Sequence, residues 1–79
     1  MDTEIRAPAT LKSDMPPSIG RWFKRVGDAV SLNEPVVEIN TDNVTVQVRA
    51  STAGVISVIV AADGASINPG AVLGIITVY

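Results

Sequence analysis

Val36-Val37-Glu38-Ile39-Asn40-Thr41-Asp42-Asn43-Val44-Thr45-Val46-Gln47-Val48-Arg49 is the stretch on which the fold turns. From Val44 onward apolar and polar residues alternate strictly. Valines 44, 46 and 48 therefore share one face of a strand, and Thr45, Gln47 and Arg49 share the other. Val37, Ile39 and Thr41 have the same spacing on the preceding segment, with Glu38 and Asn40 between them. The two segments can pair as a hairpin closed at Asp42-Asn43, with those two residues at an exposed tip.

Outward from this hairpin, turn signals recur every few residues: Pro16-Pro17, Gly27-Asp28, Asn33-Glu34-Pro35, Ala53-Gly54, Asp63-Gly64 and Asn68-Pro69-Gly70. No gap between them holds a long helix. The intervening segments are short and rich in Val and Ile, and predict about eight strands, over 4–7, 18–25, 29–31, 36–41, 44–50, 55–61, 65–67 and 72–78. The composition agrees: 47% of the 79 residues are apolar, mostly Val, Ile and Ala, with three aromatics.

An internal repeat organises these segments. An offset of 37 residues carries Gly27 onto Gly64, Val30 onto Ile67, Val36 onto Leu73 and Ile39 onto Ile76, and carries Ile19 and Trp22 onto Ile56 and Ile59. Short β units that cannot bury their own faces must stack on each other. The expectation is an all-β single domain spanning 1–79: a flattened barrel or sandwich of two four-stranded antiparallel sheets related by a quasi-two-fold. The symmetry puts the Asp42-Asn43 tip near one end and the termini at the other.

Several functions are excluded by residue type. There is no cysteine and no histidine, so thiolate or imidazole metal sites and His-based triads are unavailable. A net charge of −2 with six scattered basic residues offers no stripe for nucleic acid. No apolar run is long enough to span a membrane, and Met1-Asp2-Thr3-Glu4 lacks the basic start of a signal peptide, so a cytoplasmic chain is expected. The carboxylates Glu34, Glu38, Asp42 and Asp63 fall on different turns and faces with no nucleophile near, and read as solvated surface. Trp22, aligned with Ile59 in the repeat, reads as core. The glycines at 27, 64 and 70 read as tight turns. Asn43-Val44-Thr45 matches a glycosylation triplet, a pattern common by chance.

Gly20-Arg21-Trp22-Phe23-Lys24-Arg25-Val26-Gly27-Asp28-Ala29-Val30 and Glu34-Pro35-Val36-Val37-Glu38-Ile39-Asn40-Thr41-Asp42-Asn43-Val44 resemble the lipoyl (biotinyl/lipoyl-type) domains of 2-oxoacid dehydrogenase dihydrolipoamide acyltransferases. The likeness continues through Ala53-Gly54-Val55-Ile56, Asp63-Gly64 and Pro69-Gly70-Ala71-Val72-Leu73-Gly74. Val44-Thr45-Val46-Gln47-Val48 looks more like the 2-oxoglutarate (succinyltransferase) branch than the pyruvate branch. In that family the hairpin reads Glu-Thr-Asp-Lys, and the lysine carries lipoate as a swinging arm. Here it reads Asn40-Thr41-Asp42-Asn43.

The resemblance implies a non-catalytic carrier domain of an acyltransferase, with Asn43 at the lipoyl-lysine position and Asp42 and Val44 flanking it. It implies a 2-oxoacid decarboxylase, dihydrolipoyl dehydrogenase and lipoate ligase as partners, and an isolated domain that is monomeric. In a eukaryote it implies the mitochondrial matrix. Because a carboxamide is not acylated as an amine is, the chain as written is expected to carry no lipoate. Neither Lys12, in a predicted loop, nor Lys24, on the predicted second strand, stands at the tip. The loop from Ala7 to Met15 also departs from the family's Gly-Glu-Ser-type loop, which is implied in decarboxylase recognition. The alternatives are an arm-less structural or interaction module that kept the fold, and a biotin carrier, whose lysine would sit between two methionines that this hairpin lacks.

Overall fold

The computed structural model describes residues 1–11, 15–42 and 44–79. Among them are seven strands: β1 (Asp2–Arg6), β2 (Ser18–Trp22), β3 (Ala29–Val30), β4 (Pro35–Asn40), β5 (Thr45–Arg49), β6 (Gly54–Ile59) and β7 (Val72–Thr77). They form two sheets, β1-β7-β6-β3 and β2-β4-β5, antiparallel at every pairing. The sheets do not close into a barrel. They stack as a flattened sandwich with Cα extents of 39 × 20 × 16 Å.

The second sheet has three strands rather than the expected four, because the segment at 65–67 is held to a single bridge, Ser66 to Ser18. It still lies along the β2 edge: Ile19 N–H donates to Ala65 O at 2.8 Å and Ile67 N–H to Pro17 O at 2.8 Å. A turn closed by Ala65 N–H to Ala62 O precedes it, and Asn68-Pro69 follows at once. Pro69 has no N–H to extend a ladder. Its counterpart in the other sheet, β3, is scarcely longer.

The 37-residue offset is realised in detail. It superposes β4 on β7, β2 on β6 and the 65–67 segment on β3, so the order β5-β4-β2 with Ser66 beyond mirrors β1-β7-β6-β3. Irregularities repeat as well. Register shifts fall at Gly20 and at Ser57, and again at Val36 and at Leu73. Backbones with positive φ pair in the same way: Gly27 (96°) with Gly64 (82°), and Asn33 (72°) with Gly70 (79°). Glycine accepts such angles without steric cost, and asparagine tolerates them. The hairpin tip maps onto the place where the chain ends meet, Met1 and Val78 exchanging backbone bonds of 2.9 and 2.8 Å.

One apolar layer lies between the sheets. Ile5, Val30, Ile56, Leu73 and Ile76 come from one sheet and Ile19, Val36, Val37 and Ile39 from the other, with Ala7, Ala50 and Ile67 closing the ends. All the repeat-matched pairs of aliphatic residues are buried there, except that Ile59 is partly buried like its mate Trp22. Strict alternation fails at one point: Val36 and Val37 are both buried, because the bulge between Pro35 and Val37 turns two successive side chains inward. Trp22 packs on this layer as expected of a core residue. Its indole Nε1–H donates to Ala61 O at 2.6 Å, which satisfies the ring's polar end.

Candidate functional site

The hairpin expected from the sequence is present, and its register is Val37 to Val48, Glu38 to Gln47, Ile39 to Val46 and Asn40 to Thr45. Alternation decides this register, since Val37, Ile39, Val46 and Val48 must share the core side. The last cross-strand pair is reinforced by Thr45 Oγ1–H donating to Asn40 Oδ1 at 3.1 Å.

Beyond Asn40 and Thr45 the strands give way to a tip clasped by Thr41. Thr41 N–H donates to Val44 O at 2.9 Å, and Thr41 Oγ1–H donates to the same carbonyl at 3.0 Å. Val44 N–H in turn donates to Thr41 Oγ1 at 3.0 Å. A single hydroxyl therefore serves both backbone polar groups of the residue opposite. Asp42 is exposed, and Val44, expected as the first residue of the alternating strand, lies just before β5 and is 57% exposed. Asn43, the residue singled out by the sequence, lies outside the described residues, as does Lys12. Composition and periodicity did not single out Thr41, although a threonine beside a turn is a known position for hydroxyl-to-backbone bonding.

Lys24 stands apart from the tip. It was expected on the second strand, but β2 ends at Trp22. The chain turns away at Arg25, whose N–H is captured by Asp28 Oδ2 at 2.8 Å, while Asp28 N–H closes the turn on Arg25 O at 2.9 Å. β2 starts beside Asn40 and ends beside Val37, so its far end points away from the tip. There Lys24 Nζ meets Glu34 Oε2 at 2.8 Å. The hydrogen bond to Glu34 raises the lysine above its ordinary value, and its charge together with that of Asp28 adds to the shift. The hydrogen bond from Lys24 holds the Glu34 carboxyl below its ordinary value, helped by Ser31 N–H at 2.9 Å.

The signs follow from these directions. Glu34 adds stability above the ordinary carboxylate range, and this is lost as pH falls through its lowered folded value. Lys24 adds stability that is complete below its ordinary value of 10.5 and is lost as pH rises through the raised one. Glu34→Gln should accordingly lower the neutral-pH melting temperature modestly, with the gap to the parent closing as pH is lowered through the carboxylate range. A gap that stays constant from neutral to acid pH would rule out the ion pair as its source.

Asp63, like Asp28 and Glu34, accepts a backbone N–H. Asp63 Oδ1 accepts Trp22 N–H at 3.0 Å, tying the turn after β6 to β2. Among the described residues no three Asp or Glu side chains gather as a metal-binding group.

Residues 3–76 match the biotin/lipoyl family, described as biotin-requiring enzymes. The chain belongs to that family. Its relatives include dihydrolipoyllysine-residue acyltransferase components of 2-oxoacid dehydrogenase complexes. The chain is 43% identical over 74 residues to the dihydrolipoyllysine-residue succinyltransferase component of the 2-oxoglutarate dehydrogenase complex of Bartonella vinsonii subsp. berkhoffii, covering 94% of this chain and 18% of that protein. It is 38% identical over 74 residues to the corresponding component of Rickettsia typhi, covering 94% and 19%. The solved lipoyl domain of the 2-oxoglutarate dehydrogenase complex from Azotobacter vinelandii superposes with a TM-score of 0.76 at 36% identity, covering 94% of both chains. The resemblance read from the sequence to lipoyl domains of the succinyltransferase branch therefore stands. The chain spans less than a fifth of the length of these curated relatives.

Proposed function

We propose that this chain is the lipoyl-type carrier domain of a 2-oxoacid dehydrogenase acyltransferase, of the succinyltransferase kind, in which the tip has lost its acceptor and carries no lipoate as it stands. The single observation behind this reading is the juxtaposition of an intact presenting hairpin with the sequence Asn40-Thr41-Asp42-Asn43 at its end. Such a domain catalyses nothing itself. Its family task is to move an acyl group between the active sites of a decarboxylase, an acyltransferase and dihydrolipoyl dehydrogenase, all working on an arm fixed by an amide to lysine. The residues of this hairpin do not fit that group. An amide to lipoate needs a primary amine, position 43 is a carboxamide, and Lys24 is ion-paired beyond the far end of β2.

The role left to the chain is that of a hairpin on a packed sandwich, with Asp42 and Val44 exposed beside its tip, offered to the same protein surfaces without the arm. The alternative is an arm-less structural or interaction module that keeps this scaffold, and Asn43 in the sequence favours it. Asn43→Lys separates the two. Incubated with lipoate ligase, lipoate and ATP, the variant should gain the mass of one lipoyl group while the parent gains none. Absence of any addition to the variant would remove the carrier scaffold from this reading. Modification of the parent would refute the claim that a tip with Asn43 is unmodified.

A further inference from the structure

We propose that the outer face of the β1-β7-β6-β3 sheet is a self-association surface, on which a second copy of this chain packs through Ile75, Val58 and Val60. The internal repeat singles this face out. The 37-residue offset carries Arg21 onto Val58, Phe23 onto Val60 and Glu38 onto Ile75, so these outward positions of one sheet have counterparts in the other. On the β2-β4-β5 sheet the cross-strand row reads Arg21, Glu38, Gln47. On the other sheet it reads Val58, Ile75, Glu4. The sandwich accepts charged residues at these positions, so folding does not require an apolar pair there.

The two faces also differ in how their apolar side chains are covered. Phe23 lies beneath the Arg21 guanidinium, whose carbon is 4.9 Å from the ring centroid. Its counterpart Val60 is 60% exposed, and Val58, in the place of that arginine, is 44% exposed. The turn beside β6, tied to it by Gly27 N–H on Ile56 O at 2.8 Å, adds Val26 at 60% exposed. Single exposed aliphatic side chains are ordinary, but neighbours on one sheet face form a contiguous patch of the kind that marks an interface.

Charge decides the partner and its orientation. Asp2 and Glu4 stand exposed on β1, at one margin of the face, and Arg25 stands exposed in the turn at the opposite margin. Among the described residues the Arg25 guanidinium has no ion-pair partner. A two-fold axis running along the strands between β7 and β6 sets Ile75 of each copy on Val58 of the other, and lays each acidic margin over the other copy's Arg25. An axis across the strands would set Glu4 against Glu4. The face is therefore complementary to itself in one orientation, that of aligned sheet-on-sheet packing. Its area limits the strength, since a few valines and one isoleucine fall well short of the roughly 800 Å² that each partner gives to a stable complex. The contact is accordingly weak, absent in dilute solution and populated where copies are held at millimolar effective concentration.

Sedimentation equilibrium and amide NMR spectra of the chain, from about 0.05 to about 2 mM, test this. The weight-average mass should rise across that range with a Kd on the order of 1 mM, and the shifts should centre on Val58, Val60 and Ile75. Val58→Arg with Ile75→Glu copies the pair that the other sheet carries, and should abolish the rise with little change in melting temperature. Val58→Thr with Ile75→Thr keeps the branched shape and should weaken association on the order of tenfold; it decides the matter if the charged pair fails to fold. Arg25→Glu should weaken it roughly threefold, and adding Glu4→Arg should recover part of that loss. A parent that stays monomeric at about 2 mM, shifts centred on another surface, or double variants that associate as the parent does would overturn the proposal. The first of these outcomes would leave the face to an unlike partner.

Discussion

Ile39→Ala is expected to bring the domain close to unfolding. Ile39 has no solvent exposure, pairs with Ile19 on one side and Val46 on the other, and belongs to the single layer that joins the two sheets. Removing three buried carbons from such a site typically costs about 2–5 kcal/mol, the spread reflecting how far neighbours collapse into the gap. Collapse is hindered here, because the neighbours on both sides are strands fixed by ladder bonds. A domain of this size has roughly 4–12 kcal/mol in total, so the loss is a large share of the whole. Thermal melts followed by the fluorescence of Trp22 should show a fall of at least about 10 °C, given about 4–8 °C per kcal/mol at this length. A fall of only about 2 °C would mean that Ile39 does not fill the layer as described.

Gly54→Ala should be nearly as damaging, for the opposite reason. A β-carbon at Gly54 would lie 2.5 Å from Thr77 O and 2.7 Å from Ile76 Cγ2. Neither can yield cheaply. The carbonyl belongs to β7, the central neighbour of β6, and Ile76 is fully buried. Gly54 also pairs with Val30 of β3, so moving β6 off β7 disturbs the strand on its other side. Overpacking of this kind costs about 1–3 kcal/mol. Gly27→Ala is the useful contrast, because open space surrounds its missing side chain and only its φ of 96° resists substitution. Melting curves should rank the two with Gly54→Ala lower. The reverse order would show that backbone angle outweighs contact at these positions.

The repeat was readable because burial constrains side chains directly: an aliphatic residue at 19 or 39 demands another at 56 or 76 once the sheets mirror each other. Strand lengths were harder to read. Phe23 and Lys24 have the composition of a strand, yet the capture of the Arg25 amide by Asp28 bends the chain earlier, and local propensity carries no trace of that bond. The double burial of Val36 and Val37 was hidden for a related reason, since a bulge is a property of a pair of strands and not of either alone. The 65–67 segment shows the converse case, in which Asn68-Pro69 marked its limit but a bounded strand was still expected. At the tip, resemblance located the position of interest and alternation located the hairpin. The Thr41 clasp escaped because periodicity says nothing about a hydroxyl.

The exchange of short strands between the halves governs how the chain must assemble. β3 comes from the first half but completes the sheet built on β6 and β7, and the 65–67 segment returns the favour along β2. The two halves are therefore interlocked rather than merely stacked. A half-length fragment would present a sheet with a missing margin and half an apolar layer, with nothing to close either. Two halves interlocked in this way leave partial structures no refuge, and unfolding is expected to be all-or-none. The long connections that knit the halves also make the search for the native pairing slow relative to that of a helical protein of equal size.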